Sequence, residues 1–352
     1  MYLTARLNKP LIRAKAVLCV VFAIALIGAP KIAVEGISGG LRLCYGALIP
    51  SLFPFLFIVD YLCCMISAAG SKKKWTGIAA AVVFGIVGGY PMGAKALGDV
   101  CLRGEISAKK AAALLCGCVN AGPAYLISAV GLGLFGSFRA GMILFAAVTA
   151  ASLVCLILGL ILVKDTDRPA STPTARDIVR VQASFMKSMS YALNATLSLC
   201  AYVTFFSCIG AYANRALLLF SDSKIIAWAV GCILEVCIGS AAAAHIGSVR
   251  GLVLAAVSAS VCGTSVILQL MSFTSSAKIS LKYFLLSRPV HAAVSAGFIY
   301  ILVPLFPSLS DVFASRAVHK LYSLSPLFSV FFMMTAAIFV FSDKKKIVDS
   351  GQ

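Results

Sequence analysis

Apolar stretches of about twenty residues recur eight times along this chain, near 14–34, 46–69, 111–135, 140–163, 189–213, 225–244, 283–306 and 324–342. A helix of roughly that length is what crosses the hydrocarbon core of a bilayer, where every backbone polar group must be satisfied within the protein. Two further apolar stretches, 76–98 and 251–275, are interrupted by glycine and polar residues, and each reads as a re-entrant element that dips into the membrane and returns. The expected fold class is therefore an all-α polytopic membrane protein with about eight transmembrane helices, two re-entrant broken elements and two structural repeats.

Composition closes off the alternatives. Of the 352 residues, 61% are hydrophobic and 12% charged, against about 25% charged in soluble domains. That excludes a cytosolic enzyme, a secreted disulfide scaffold and a nucleic-acid-binding protein. The net charge of +18 would otherwise suggest a nucleic-acid partner. In a membrane chain it reports lysines and arginines held on the cytoplasmic side. The basic start, Arg6, Lys9, Arg13 and Lys15, also opens signal peptides, but Lys31 and Glu35 follow without a small-residue cleavage site, which favours a retained first helix. Most of the thirteen cysteines lie in apolar runs and act there as small hydrophobes. Cys63-Cys64 and Cys116-Gly117-Cys118 lack the partners of a zinc site, so no metal or cofactor is expected.

If the eight stretches cross and the two broken ones return, one face carries 23 of the 30 lysines and arginines. The positive-inside rule makes that face cytoplasmic, with both termini on it. Lys72-Lys73-Lys74 and Lys344-Lys345-Lys346 are then surface anchors. A weak repeat appears at a spacing of 173–175 residues: Ile106-Ser107-Ala108-Lys109 with Ile279-Ser280-Leu281-Lys282, Gly88-Gly89 with Cys262-Gly263, and Asp60 with Glu235. Duplicated halves with broken helices point to carriers, with a ligand near the midplane. The helix count gives parallel repeats, and a single miscounted span would make them inverted. The division is a first helix over 1–44, repeats over 45–163 and 189–306, a cytoplasmic linker over 164–188, and a last helix and basic tail over 307–352.

Few polar residues remain in the apolar runs. Asp60 and Glu235 lie well inside them, where a carboxylate costs about 2.5–3.5 kcal/mol. Either could carry a coupling proton or cation, or could serve as a structural hydrogen-bond acceptor. Gly88, Gly89, Tyr90 and Pro91 sit where four glycines and a proline fall within ten residues, too many for a regular helix. Asn120, Gly122 and Pro123 break the next run, and Asn120 brings both donor and acceptor to the break. In the second half, Gly263, Thr264, Ser265 and Gln269 occupy the corresponding place. Arg288 could anchor at the surface or pair with Glu235, and His291 is a further polar partner.

Gly89-Tyr90-Pro91-Met92-Gly93-Ala94-Lys95 followed by Asn120-Ala121-Gly122-Pro123 resembles the sporulation integral membrane protein YlbJ-like family. Looser matches lie in Leu234-Glu235-Val236 with Gly239, in 263–269 and in Arg288-Pro289-Val290-His291-Ala292; residues 241–250 depart from the pattern. The resemblance covers roughly 45–305. That family carries the nucleoside-recognition or Gate domain, also present in nucleoside transporters, ferrous iron transporter B and spore maturation proteins A and B. What it implies is a multi-pass protein of the bacterial cytoplasmic membrane, the forespore or mother-cell membrane included, acting in spore envelope or cortex formation. The expected function is a transporter or permease for an unknown small molecule or ion. The alternative is a non-transporting assembly or scaffold protein. No enzyme activity is expected. The partners are the lipid bilayer and the transported solute, with self-association compatible and no nucleic acid.

Overall fold

The computed structural model describes residues 9–68, 74–90, 92–163, 185–220 and 223–305. The described residues form thirteen α-helices joined by short turns, with no strand. Five helical stretches among them are long and apolar enough to cross a membrane: Pro30–Leu62, Phe138–Leu162, Phe185–Leu217, Ser248–Thr274 and Lys282–Leu305. The expected last span, 324–342, and the lysine anchors at 72–73 and 344–346 lie outside the described residues.

Helix α1 (Lys9–Gly28) ends two residues before Pro30, which opens α2 (Pro30–Leu43) at a position where its missing N–H costs nothing. A π-helical turn, Cys44–Leu48, carries α2 directly into α3 (Ile49–Ala68), so the expected boundary at 44–45 falls inside one long rod. This rod lies along α8 (Phe185–Leu217). The two approach closely because α2 offers Gly36 and Gly40, where an added Cβ would stand 2.8 Å from the Cys208 and Thr204 Cα atoms. Small residues four apart are the usual means of close helix contact where lipid removes the hydrophobic drive.

Two elements reverse direction. Helices α4 (Lys74–Gly88) and α5 (Met92–Leu102) fold against each other about Gly89-Tyr90. Helices α9 (Lys224–Leu234) and α10 (Val236–Ile246) fold about Glu235. Their construction is the same. A Cβ at Gly85 would lie 3.1 Å from the Gly93 Cα, and one at Gly231 would lie 3.2 Å from the Gly239 nitrogen. Residues eight apart in a straight helix are about 12 Å apart, so each chain doubles back between its glycines. The sequence carries this as glycine at 85, 89 and 93 and, in the second hairpin, Gly231, Glu235 and Gly239.

Two other elements are interrupted without reversing. Helix α6 (Ala108–Cys118) is capped by Ser107 Oγ and loses its hydrogen bonding across 119–123. The chain then resumes as a π-helical segment, Ala124–Leu132. Helices α11 (Ser248–Val261) and α12 (Gly263–Thr274) meet at Cys262 and Gly263, both at φ of +72°. Helices α7 (Phe138–Leu162) and α13 (Lys282–Leu302) pack beside these broken rods and against each other.

Three expectations change. The 225–244 run is two eleven-residue helices folded into a hairpin, too short to cross separately, because Glu235 stops α9 and caps α10. The 251–275 run, expected to be re-entrant, belongs to the 27-residue stretch Ser248–Thr274. Its glycine and cysteine interrupt hydrogen bonding without turning the chain back. The 173–175 spacing therefore pairs a hairpin turn at Gly88-Gly89 with a break at Cys262-Gly263. It likewise pairs Asp60, in the body of α3, with Glu235, at a hairpin tip. Like geometry recurs instead at a spacing near 144, where α7 and α13 begin at 138 and 282.

Candidate functional site

Each hairpin tip rests on the break of one interrupted helix. Gly89 (φ +69°) stands so close to the first break that a Cβ there would be 2.6 Å from the Gly122 nitrogen. A Cβ on Gly263 would be 2.9 Å from the Glu235 Cα. Bare backbone thus meets bare backbone at both places, and a left-handed φ with no room for a side chain selects glycine. Two tyrosines then reach across to neighbouring elements. The Tyr90 hydroxyl, on the first tip, donates to the Ala259 carbonyl of α11. The Tyr125 hydroxyl, just after the first break, bonds Ser240 Oγ at 3.0 Å and the Val236 carbonyl at 3.2 Å on the second hairpin.

Between these parts lies a cavity with about 540 Å³ of atom-free space, its mouth included. One side is backbone and small groups from Gly88, Gly89, Gly122, Val236 and Cys237. The lining also holds the aliphatic line Leu48, Leu52 and Leu56 on the α3 rod, with Ala195 and Leu199 of α8. Among the described residues, no charged one lines it. Gln269 contributes the one side-chain amide, and its buried Nε2 meets no acceptor among the described residues.

Glu235 does not face this cavity. Its carboxylate accepts from the Cys237 N–H at 2.5 Å, the Ile238 N–H at 3.2 Å and the Ser265 hydroxyl at 3.3 Å, and the residue has no exposed surface. This is an N-cap, with a negative group on the positive end of α10. It explains how a carboxylate persists with no cation beside it among the described residues. Asp60 is different. Its carboxylate is ion-paired to Lys95 of α5, whose ammonium also sits 3.8 Å from the centre of the Tyr191 ring. The pair ties the first hairpin to α3, and Lys95 keeps 26% of its side chain exposed.

A second polar system is wholly buried. Asn120 Nδ2 donates to Ser152 Oγ at 2.7 Å, and Ser152 Oγ meets His291 Nε2 at 3.0 Å. His291 Nδ1 meets Ser260 Oγ at 2.8 Å, which bonds Ser295 Oγ at 2.9 Å. The chain runs from the first break, through α7 and α13, to the last turn of α11 before the second break. Beside it Arg288, 5% exposed, places its guanidinium on the Cys116 carbonyl at 2.5 Å and the Val119 carbonyl at 3.4 Å, where α6 ends. Neither expected role for Arg288 holds: it is not at a surface and does not pair with Glu235. A helix C-terminus, with its unmet carbonyls and partial negative charge, takes the cation.

Of the expected ligand-binding residues, Gly88, Gly89, Tyr90, Gly122 and Gln269 line the cavity. Asn120 lies behind it in the polar chain. Thr264 points outward and is held by the Ile233 carbonyl, while Ser265 serves Glu235. Gly263 is the contact against which the second tip rests, and Pro123 starts the π-helical segment. Pro91 lies outside the described residues. Sequence reading missed Tyr125, Ser152, Ser260, Cys237 and the leucine line. Only Tyr125, an aromatic just after a break, gave any local signal. Among the described residues no three of His, Cys, Asp and Glu converge as a metal-binding set. No family model, no curated protein and no solved structure matches this chain.

Proposed function

We propose that this chain is a multi-pass membrane carrier in which two halves of inverted topology enclose a ligand between their hairpin tips and broken helices. The observation that carries the reading is the cavity, where both tips and both broken helices meet. Broken helices facing a shared space at mid-depth are how carriers bring backbone dipoles to a solute.

Three features support the inversion. The hairpins share the same glycine construction. Their open ends lie far apart: Gly98 of α5 sits beside the Phe273 carbonyl of α12, while α10 ends beside Gly251 of α11, itself next to Phe135. The helical stretch between Gly251 and Phe273 is about 33 Å long. If the hairpins are re-entrant, α3, the α6 rod and α7 make three crossings between the start of one half and the start of the next, an odd number, which inverts the second. Charge agrees, since exchanging the roles of 225–244 and 251–275 moves Arg250 alone, leaving 22 basic residues on one face and eight on the other.

Sporulation, the cytoplasmic membrane and the Gate-type identity extend this proposal through the sequence resemblance. The test is access to the cavity. Leu52→Cys and Val266→Cys, each in a chain with its native cysteines replaced, are treated with a membrane-impermeant maleimide in intact cells and in inside-out vesicles. A carrier exposes these positions to one aqueous face, and its cavity changes face when a transported solute is present. Labelling from neither face under any condition would sink the carrier reading in favour of the scaffold.

A further inference from the structure

We propose that the cavity takes an uncharged, largely apolar small molecule that presents one hydrogen-bond acceptor to Gln269. This rests on the cavity being the binding site of the proposed carrier.

The lining excludes a charged ligand. Moving an ion out of water into a place with no counter-charge is strongly unfavourable, and among the described residues no charged one lines the cavity. The Glu235 carboxylate, beside the lining residues Val236 and Cys237, is held by two backbone amides and Ser265. The lining also disfavours a ligand with many hydroxyls. Tyr90 already donates to Ala259 and accepts from the Cys262 thiol, and Tyr125 is taken by Ser240 and Val236. Each ligand polar group left unmet would weaken binding by roughly fivefold to a hundredfold.

One group is unspent. Gln269 Nε2 is buried and has no acceptor among the described residues. A ligand carbonyl or hydroxyl oxygen placed there meets a donor that otherwise carries its desolvation cost alone. In the same lining, Leu48, Leu52 and Leu56 recur every four residues along one side of the rod, an aliphatic wall about 12 Å long. A single polar head against Gln269 with an alkyl body along the leucines satisfies both sides.

The probe is a diazirine derivative of octanol, photolysed with the purified full-length chain in detergent and mapped by mass spectrometry. Label is expected on peptides holding Tyr90, Val236 or Gln269 and is displaced by 1-octanol. Octanoate at pH 8 and uridine do not displace it. Gln269→Leu lowers cavity labelling about threefold to tenfold, the worth of one hydrogen bond, and Val266→Phe, which fills the space, abolishes it. Thermal melts of both variants show that they fold. Should Gln269→Leu not fold, Gln269→Asn, whose shorter amide falls short of the ligand, gives the same reading. Displacement by octanoate or uridine as effective as by octanol overturns the ligand class, and so does label confined to lipid-facing helix surfaces. Cavity labelling without maleimide access from either face leaves the ligand class standing and overturns the carrier. Maleimide access with no octanol labelling does the reverse.

Discussion

Gly93→Ala adds one methyl group at the crotch of the first hairpin. Its Cβ would lie 2.0 Å from the Cys118 carbonyl oxygen and 2.9 Å from the carbonyl carbon, whereas ordinary contact begins at 3.4 Å. Helix α5 must therefore withdraw from the end of α6 by about 1.4 Å in an interior packed like a crystal. Neither partner can turn aside, because both are backbone, and Gly85 faces the same carbonyl, where its own Cβ would stand at 2.4 Å. Overpacking of this kind costs up to about 3 kcal/mol. Alanine returns about 1 kcal/mol of helix propensity over glycine. The net loss is about 2 kcal/mol, or roughly a thirtyfold fall in the folded-to-unfolded ratio. Gly39→Ala is the control: it lies within α2 with nothing inside 4 Å of its Cβ, so it should be neutral or stabilising by up to about 1 kcal/mol. Both are read by thermal melts in detergent with a thiol-reactive dye, since Cys116, Cys118 and Cys262 are buried until unfolding. If Gly93→Ala melts at or above the parent while Gly39→Ala behaves as expected, the hairpin does not pack on α6 in this way.

Four further outcomes follow from the same geometry. Lys95→Met strands the Asp60 carboxylate, 4% exposed, and should cost about 3 kcal/mol; adding Asp60→Asn should recover most of it in denaturant titrations. Ser152→Ala leaves Asn120 Nδ2 and His291 Nε2 without the hydroxyl that meets them and should cost about 1–3 kcal/mol, with a less-than-additive double variant alongside His291→Phe. Arg288→Lys should be destabilised nearly as much as Arg288→Leu in the same melts, because an ammonium cannot span the Cys116 and Val119 carbonyls as a guanidinium fork does. Glu235→Ala removes the α10 cap and should cost about 1–2 kcal/mol, while Glu235→Gln, which keeps an acceptor oxygen, should lose less.

Legibility differed from element to element. The Gly89-Tyr90 and Asn120-Pro123 breaks were readable because glycine and proline change local backbone energetics wherever they stand. The Glu235 hairpin was not. Its sequence, Leu234-Glu235-Val236, reads as one acid inside an apolar helix, and nothing local separates a buried carboxylate that pairs with a cation from one that caps the helix it begins. The same ambiguity hid the 144-residue spacing. Glycine at 89 and glutamate at 235 solve one geometric problem, a reversal between two crossing glycines, with different chemistry.

The sequence by itself determined that the chain is helical and apolar enough for a bilayer, and where its backbone cannot stay regular. Those properties are set by hydropathy over some twenty residues and by the conformational limits of single residues. Only the tertiary structure decided which interruptions reverse the chain and which merely bend it. It alone sent Asp60 to Lys95, Glu235 to its own helix and Arg288 to the end of α6. Each of those choices depends on what stands within a few ångströms, and in this fold those neighbours lie from 2 to 172 residues away.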